Sequence, residues 1–173
     1  MEKGLLIVYT GNGKGKTTAA LGLALRALGY GKRVCLLQFV KGKWKTGEIE
    51  ALKRFKDLMD VHITGHGFIL NGEDVEKERE AASAAWELAR GKIVSPDYGL
   101  VILDELTYLI NFGILSLEDV LNTLQNRRED LHVVITGRQA PEAIKEAADL
   151  VTEMRNVKHP YENGMGAQKG VEF

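Results

Sequence analysis

Apolar runs of strand length alternate with longer amphipathic stretches along this chain, and that alternation predicts its architecture. The runs are 4–10 (GLLIVYT), 33–39 (RVCLLQF), 60–64 (DVHIT), 99–104 (GLVILD), 131–136 (LHVVIT) and 149–154 (DLVTEM). Helical spacing is read over 16–29, 47–58, 73–93, 116–128 and 141–148. Near-continuous Val, Ile and Leu suits strands covered on both faces, and strands alternating with helices imply a parallel sheet with right-handed crossovers. The expected fold class is α/β, with a mainly parallel six-stranded sheet between helical layers. Ser116, with Asp119 three residues on, predicts a capping box, and Pro141 suits a first helical position. The segment 65–72 (GHGFILNG) is punctuated by glycine but apolar in its middle. From Asn156 to the end periodicity is lost, giving an irregular tail over 156–173. Without an internal repeat, a low-complexity stretch or a linker, residues 1–173 read as a single domain.

Composition narrows the function classes. A chain of 173 residues with 45% hydrophobic content can bury a sizeable core. A net charge of -1 gives no electrostatic reason to expect nucleic acid or a membrane surface as partner. The lone cysteine, Cys35, sits in an apolar run and reads as a buried small hydrophobe. No run reaches membrane-spanning length, and the first strand begins at once with no cleavable signal, so a soluble cytoplasmic protein is expected.

The chemistry concentrates in residues 8–22, VYTGNGKGKTTAALG. The phosphate-loop pattern G-x-x-x-x-G-K-[ST] would end on Gly15, Lys16 and Thr17 and begin with glycine at position 10. That position is Thr10, and the glycine comes one residue later, at Gly11. The physics survives the shift. A glycine-rich turn between a buried strand and a helix start gathers backbone N–H groups into one concavity, and the helix dipole adds positive potential. Gly11, Gly13 and Gly15 permit the backbone, Lys16 can reach a phosphate oxygen, and Thr17 can ligate Mg²⁺. Lys14 adds a charge suited to a heavily anionic ligand. A nucleotide site is expected here.

A second group follows at 101–105 (VILDE), where Asp104 and Glu105 close a buried strand at the end where ligands of parallel sheets collect. One of them is expected to hold the metal ion; spacing leaves open which. Arg138, in TGRQAP, either meets phosphate or a partner or is an exposed loop cation. Arg26, on the first helix, either contacts the nucleotide or faces solvent. His62, His66, His132 and His159 show no metal-ligand spacing, so no zinc site is assigned. The guanine-reading motif N-K-x-D is missing, which disfavours a GTPase switch.

Five stretches together carry a family resemblance: TGNGKGKTTAA, the segment 34–42, ILDELTY, VITGR, and VTEMRNVKHPYENGMGAQKGVEF. The chain resembles the corrinoid adenosyltransferases of the ATP:cob(I)alamin type, and the late first glycine belongs to that family's own loop. The resemblance implies a RecA-like P-loop NTPase fold. It also implies transfer of the 5′-deoxyadenosyl group of ATP to cobalt(I) of a corrinoid, with release of triphosphate, in adenosylcobalamin biosynthesis or salvage. Carried over by residue, Gly11, Asn12, Gly13, Lys14, Gly15, Lys16, Thr17 and Thr18 bind triphosphate. Thr17 and Glu105 hold Mg²⁺ or Mn²⁺, and Lys16, Thr17 and Glu105 form the catalytic set. Arg26 and Arg138 contact the nucleotide, and the segment around Phe68 lines the lower face of the corrin. The implied partners are ATP, a reduced corrinoid, an electron donor such as a flavoprotein, and a second copy in a homodimer.

Two features depart from the family pattern. The first strand begins almost at once, so the N-terminal extension that covers the corrinoid in some members is expected to have no counterpart and closure to differ or be partial, and Leu70 stands where a second aromatic is usual. Two other functions fit the phosphate loop. An ATPase or small-molecule kinase would yield ADP rather than triphosphate. A non-catalytic corrinoid or nucleotide delivery module would bind without turnover.

Overall fold

The computed structural model describes residues 3–40, 46–65 and 75–172. Its elements run β1 (Leu6–Thr10), α1 (Lys16–Gly29), β2 (Val34–Gln38), α2 (Gly47–Leu52), β3 (Met59–Ile63), α3 (Val75–Val94), β4 (Leu100–Asp104), α4 (Leu106–Asn111), α5 (Leu117–Gln125), β5 (His132–Thr136), α6 (Glu142–Ala147) and β6 (Leu150–Glu153). Short 3-10 turns cover Lys53–Phe55 and Pro160–Asn163.

The six strands form one sheet in the order β3-β2-β4-β5-β1-β6, and every pairing is parallel. The sheet is thus wholly rather than mainly parallel. Alternate residues of each strand point to opposite faces, and both faces are covered. Leu6, Val8, Cys35, Leu37, Val101, Leu103, Val133 and Ile135 pack with Trp86, Ala89 and Ile93 of α3 and with residues of α4, α5 and α6. Ile7, Val34, Leu36, Leu100, Ile102 and Val134 pack with Ala20, Ala24 and Leu28 of α1. Two apolar faces are why these strands read as continuous runs rather than alternating ones.

The order positions the site. From β1 the chain crosses to β2, two strands beyond its neighbour β5, and later returns to place β5 between β4 and β1. The C-terminal ends of β1, β5 and β4 therefore stand side by side, and all parallel strands deliver their following loops to that one edge.

Several local expectations are corrected. The helix expected over 47–58 is a short α-helix followed by a 3-10 turn, and that over 116–128 stops at Gln125. Pro141 is the N-cap, with φ −53° and ψ 143°, and the helix starts one residue later. The capping box is half made. Ser116 accepts from the Asp119 N–H at 3.4 Å, but the Asp119 carboxylate accepts from the Trp86 indole at 2.6 Å instead of reaching back. The six-residue α4 was not anticipated, because LTYLIN continues the apolar character of the strand before it. The irregular tail contains the 3-10 turn, where His159 Nδ1 accepts from the Tyr161 N–H, and a second turn in which the Val171 and Glu172 N–H groups donate to the Gln168 carbonyl. Among the described residues no helix is long and apolar enough to cross a membrane.

Candidate functional site

The phosphate loop connects the buried end of β1 to the first turn of α1. Gly11 has φ 97° and Gly15 φ 112°, both in the region that L side chains avoid. Sterics demand glycine as well: a Cβ at Gly11 would lie 2.4 Å from the Met154 carbonyl oxygen, and one at Gly13 2.7 Å from that of Arg155. The chain leaving β6 is pressed against the loop, and the Gly13 N–H donates to the Met154 carbonyl at 2.7 Å.

Thr10, where the usual pattern has glycine, has structural work of its own. It pairs in the ladder with Glu153, its carbonyl accepts from the Met154 N–H, and its hydroxyl accepts from the Ala140 N–H at 3.1 Å. The threonine ties the phosphate loop to the loop that carries Arg138.

α1 begins with Lys16, its first turn has no acidic residue, and Gly15 caps it without a side-chain bond. The first N–H groups of the helix are thus left for an anion. Lys16 is 7% exposed, and its ammonium donates to the carbonyls of Gly11 and Gly13 at 2.8 and 2.9 Å. Burial lowers its pKa below the ordinary lysine value; Arg138 lowers it further, while Glu105 and Asp104 act to raise it. All three of those groups face Lys16 closely enough to be felt.

Asp104 is fully buried and hydrogen-bonded from three sides. Its Oδ1 accepts from the hydroxyls of Thr17 at 2.8 Å and Thr136 at 2.7 Å, and its Oδ2 accepts from the Gln38 amide at 3.1 Å. Glu105 follows in the left-handed region at φ 62° and ψ 27°, as the N-cap of α4, and its N–H donates to the Thr136 hydroxyl at 2.9 Å. α4 in turn fixes the Arg138 loop: Thr107 donates to the Arg138 carbonyl at 2.8 Å, and Asn111 donates to the carbonyls of Arg138 and Gln139.

The phosphate loop, Glu105 and Arg138 line a single cavity of about 510 Å³. Its wall includes Asn12, Gly13, Lys14, Gly15, Lys16, Thr17 and Thr18 from the loop, Glu105, Arg138, Gly47 and Glu48, and Gly170 to Glu172 of the tail. Of the expected site residues, the structure brings together the loop, Glu105 and Arg138. Gly11 stands behind the loop as an acceptor for Lys16. Arg26 is elsewhere: it lies ten residues along α1 from Lys16, roughly 15 Å of helix rise, and lines a separate apolar cavity with Leu5, Ile7, Leu23 and Tyr30. Phe68 lies outside the described residues.

Sequence reasoning missed Gln38, Thr136 and the tail acid Glu172, whose carboxylate pairs with the Lys14 ammonium. All three lie inside stretches that carried the family resemblance, but their type gave no signal of a role. Thr136 reads as one more β-branched strand residue.

A wholly parallel sheet, a phosphate loop after β1 and an acid pair at the end of β4, one strand away across β5, define a P-loop nucleotide-binding enzyme. The description of the family that matches residues 2–173 is ATP:corrinoid adenosyltransferase BtuR/CobO/CobP, and the chain belongs to that family. It is 46% identical to a corrinoid adenosyltransferase of Pseudomonas aeruginosa over 172 residues, covering 99% of this chain and 85% of that protein. It is 40% identical to the Escherichia coli corrinoid adenosyltransferase and to the Salmonella typhimurium corrinoid adenosyltransferase CobA, covering 99% of this chain and 87% of each. The chain is therefore an enzyme that transfers an adenosyl group from ATP to a corrinoid.

Proposed function

We propose that ATP binds with its triphosphate in the 510 Å³ cavity and that the triphosphate leaves intact. The observation that carries this reading is the convergence of Lys14, Lys16, Arg138 and the α1 N-terminus on one cavity. These cations share the wall with Glu48, Glu105 and Glu172, and their convergence with the helix start suits a leaving group whose negative charge grows as the bond breaks. In the step itself the cobalt(I) electron pair attacks C5′ of ATP. The cobalt–carbon bond forms, the C5′–O bond breaks with its pair going to triphosphate, and cobalt becomes formally cobalt(III). Cobalt(I) is a strong nucleophile, so the chain's task is alignment and stabilisation of the departing oxygen rather than proton abstraction.

The hard oxygen donors Thr17, Asp104 and Glu105 suit Mg²⁺ or Mn²⁺ held together with substrate phosphates. When bound, such an ion would neutralise charge building on the triphosphate. Burial of Asp104 against three donors, with Glu105 on the cavity wall, supports Glu105 as the acid nearer the ion. Thr17 would keep its proton on Asp104 and present an oxygen lone pair to the ion.

The corrinoid is assigned to the side of the cavity reached from the end of β3. That strand is parallel to the rest, so Ile63 ends at the same sheet edge as the phosphate loop. Thr64 donates to the Gln38 carbonyl at 3.1 Å, which fixes the chain entering the Phe68 segment. Phe68 is proposed to face the corrin from that segment. A homodimer, a cytoplasmic location and a flavoprotein electron donor complete the proposal.

The test is anaerobic incubation with ATP, Mg²⁺ and a chemically reduced corrinoid. Appearance of the adenosylated corrinoid spectrum over many turnovers is expected. Binding without turnover would overturn the reading in favour of a delivery module.

A further inference from the structure

We propose that Thr136 is the positioning residue that sets both acids of the site, so that its hydroxyl, rather than its bulk, governs metal use. The proposal rests on the reading of the acid pair as the metal-holding group. Topology places Thr136 where it can do this: β5 lies between the strand that feeds the phosphate loop and the strand that ends in the acids. Thr136 closes β5, pairs in the ladder with Tyr9, and is fully buried.

The hydroxyl is used on both sides. A carboxylate can only accept, so the single Thr136 proton goes to Asp104 Oδ1, at 2.7 Å. Its oxygen then accepts the Glu105 N–H at 2.9 Å. The first bond fixes the carboxylate that also receives the Thr17 hydroxyl, and so sets the oxygen presented by the phosphate loop. The second holds a backbone turn that is unfavourable on its own. A non-glycine residue at φ 62° persists only where surrounding bonds determine it, and this turn aims Glu105 at the cavity. One hydroxyl thus joins a buried anchoring acid to an acid on the cavity wall. Neither bond could be made by valine, which matches the shape of threonine without its polarity.

The test compares Thr136→Val with Thr136→Ser in two measurements. The first is the Mg²⁺ concentration for half-maximal adenosylation. The second is hydrogen exchange of the Glu105 amide in protein free of nucleotide and metal, which reports the turn whether or not the site works with a metal. Loss of a buried hydrogen bond to a charged group predicts that the valine variant needs roughly tenfold more Mg²⁺ or higher still. Its Glu105 amide should also exchange about tenfold faster or more. The serine variant should stay within about threefold of the parent in both. If valine leaves the Mg²⁺ midpoint and the Glu105 amide unchanged, the proposal is overturned; if serine loses as much as valine, packing rather than the hydroxyl is responsible and it is overturned equally. A parent enzyme indifferent to Mg²⁺ would remove the metal reading and the metal half of this proposal, while the exchange experiment would still decide whether the hydroxyl holds the Glu105 turn. Should the valine variant fail to fold, Thr136→Ala takes its place with the same two outcomes.

Discussion

Glu172, next to the end of the chain, pairs its carboxylate with the ammonium of Lys14 in the phosphate loop. A carboxylate therefore stands beside a cation that a triphosphate would also use. Lys14 is 45% exposed, so the pair is worth a few tenths to about 1 kcal/mol, but it competes directly with the ligand. Glu172→Gln should tighten ATP binding by about two- to fivefold in a titration without corrinoid. Weaker binding would mean that the tail acid helps to hold the nucleotide instead.

Lys16 carries a pH signature whose sign is fixed by burial. Its folded pKa lies below the ordinary lysine value because desolvation disfavours the ammonium. Between the lowered pKa and the ordinary one, the unfolded chain holds more protons than the folded one, so this residue's contribution to stability rises with pH across that window. A bound triphosphate favours the ammonium again. ATP binding at alkaline pH should therefore take up protons, detected by calorimetry in buffers of different ionisation enthalpy. The uptake should vanish in Lys16→Ala, which should also lose about 100-fold or more in kcat/KM while remaining folded. Proton release by the parent protein would contradict the assignment.

The two acids should separate on substitution. Asp104 accepts three hydrogen bonds in a fully buried setting, and Asp104→Asn would replace one accepting oxygen with an NH2 that faces either the Gln38 amide donor or the Thr17 and Thr136 hydroxyls that now donate, so at least one buried bond is lost. A loss of about 2–3 kcal/mol of stability is expected, read as a fall in Tm. Glu105→Gln lies on the cavity wall and should leave Tm nearly unchanged while raising the Mg²⁺ requirement. A metal defect in Asp104→Asn at unchanged Tm, with normal Mg²⁺ use in Glu105→Gln, would reverse the roles.

Cys35 should be chemically silent in the native state. Burial pushes its thiol up to about 12, so hardly any thiolate exists at neutral pH. A thiol reagent should label it only under denaturing conditions, and rapid native labelling would show that β2 opens.

Strands and phosphate loop were legible because they depend on local properties. Two-sided burial leaves unbroken apolar runs, and a strand-to-helix anion seat needs glycines, a lysine and a hydroxyl in close succession. The parts that were not legible depend on distant residues meeting. Arg26 shares a helix with Lys16, but the helix carries it away from the cavity toward Leu5 and Tyr30. Thr136, Gln38 and Glu172 matter through partners far along the chain, and β-branched or acidic character alone does not announce them. α4 was hidden because its residues prolong the apolar pattern of β4, and the left-handed Glu105 that ends the strand is not a glycine.

The central claim is that the phosphates leave together, and phosphorus NMR of a reaction run to partial completion tests it most directly. One triphosphate should appear for each cobalt–carbon bond formed, with no matching rise in ADP. ADP and inorganic phosphate accumulating in step with turnover would contradict the account and make the cavity that of an ordinary ATPase.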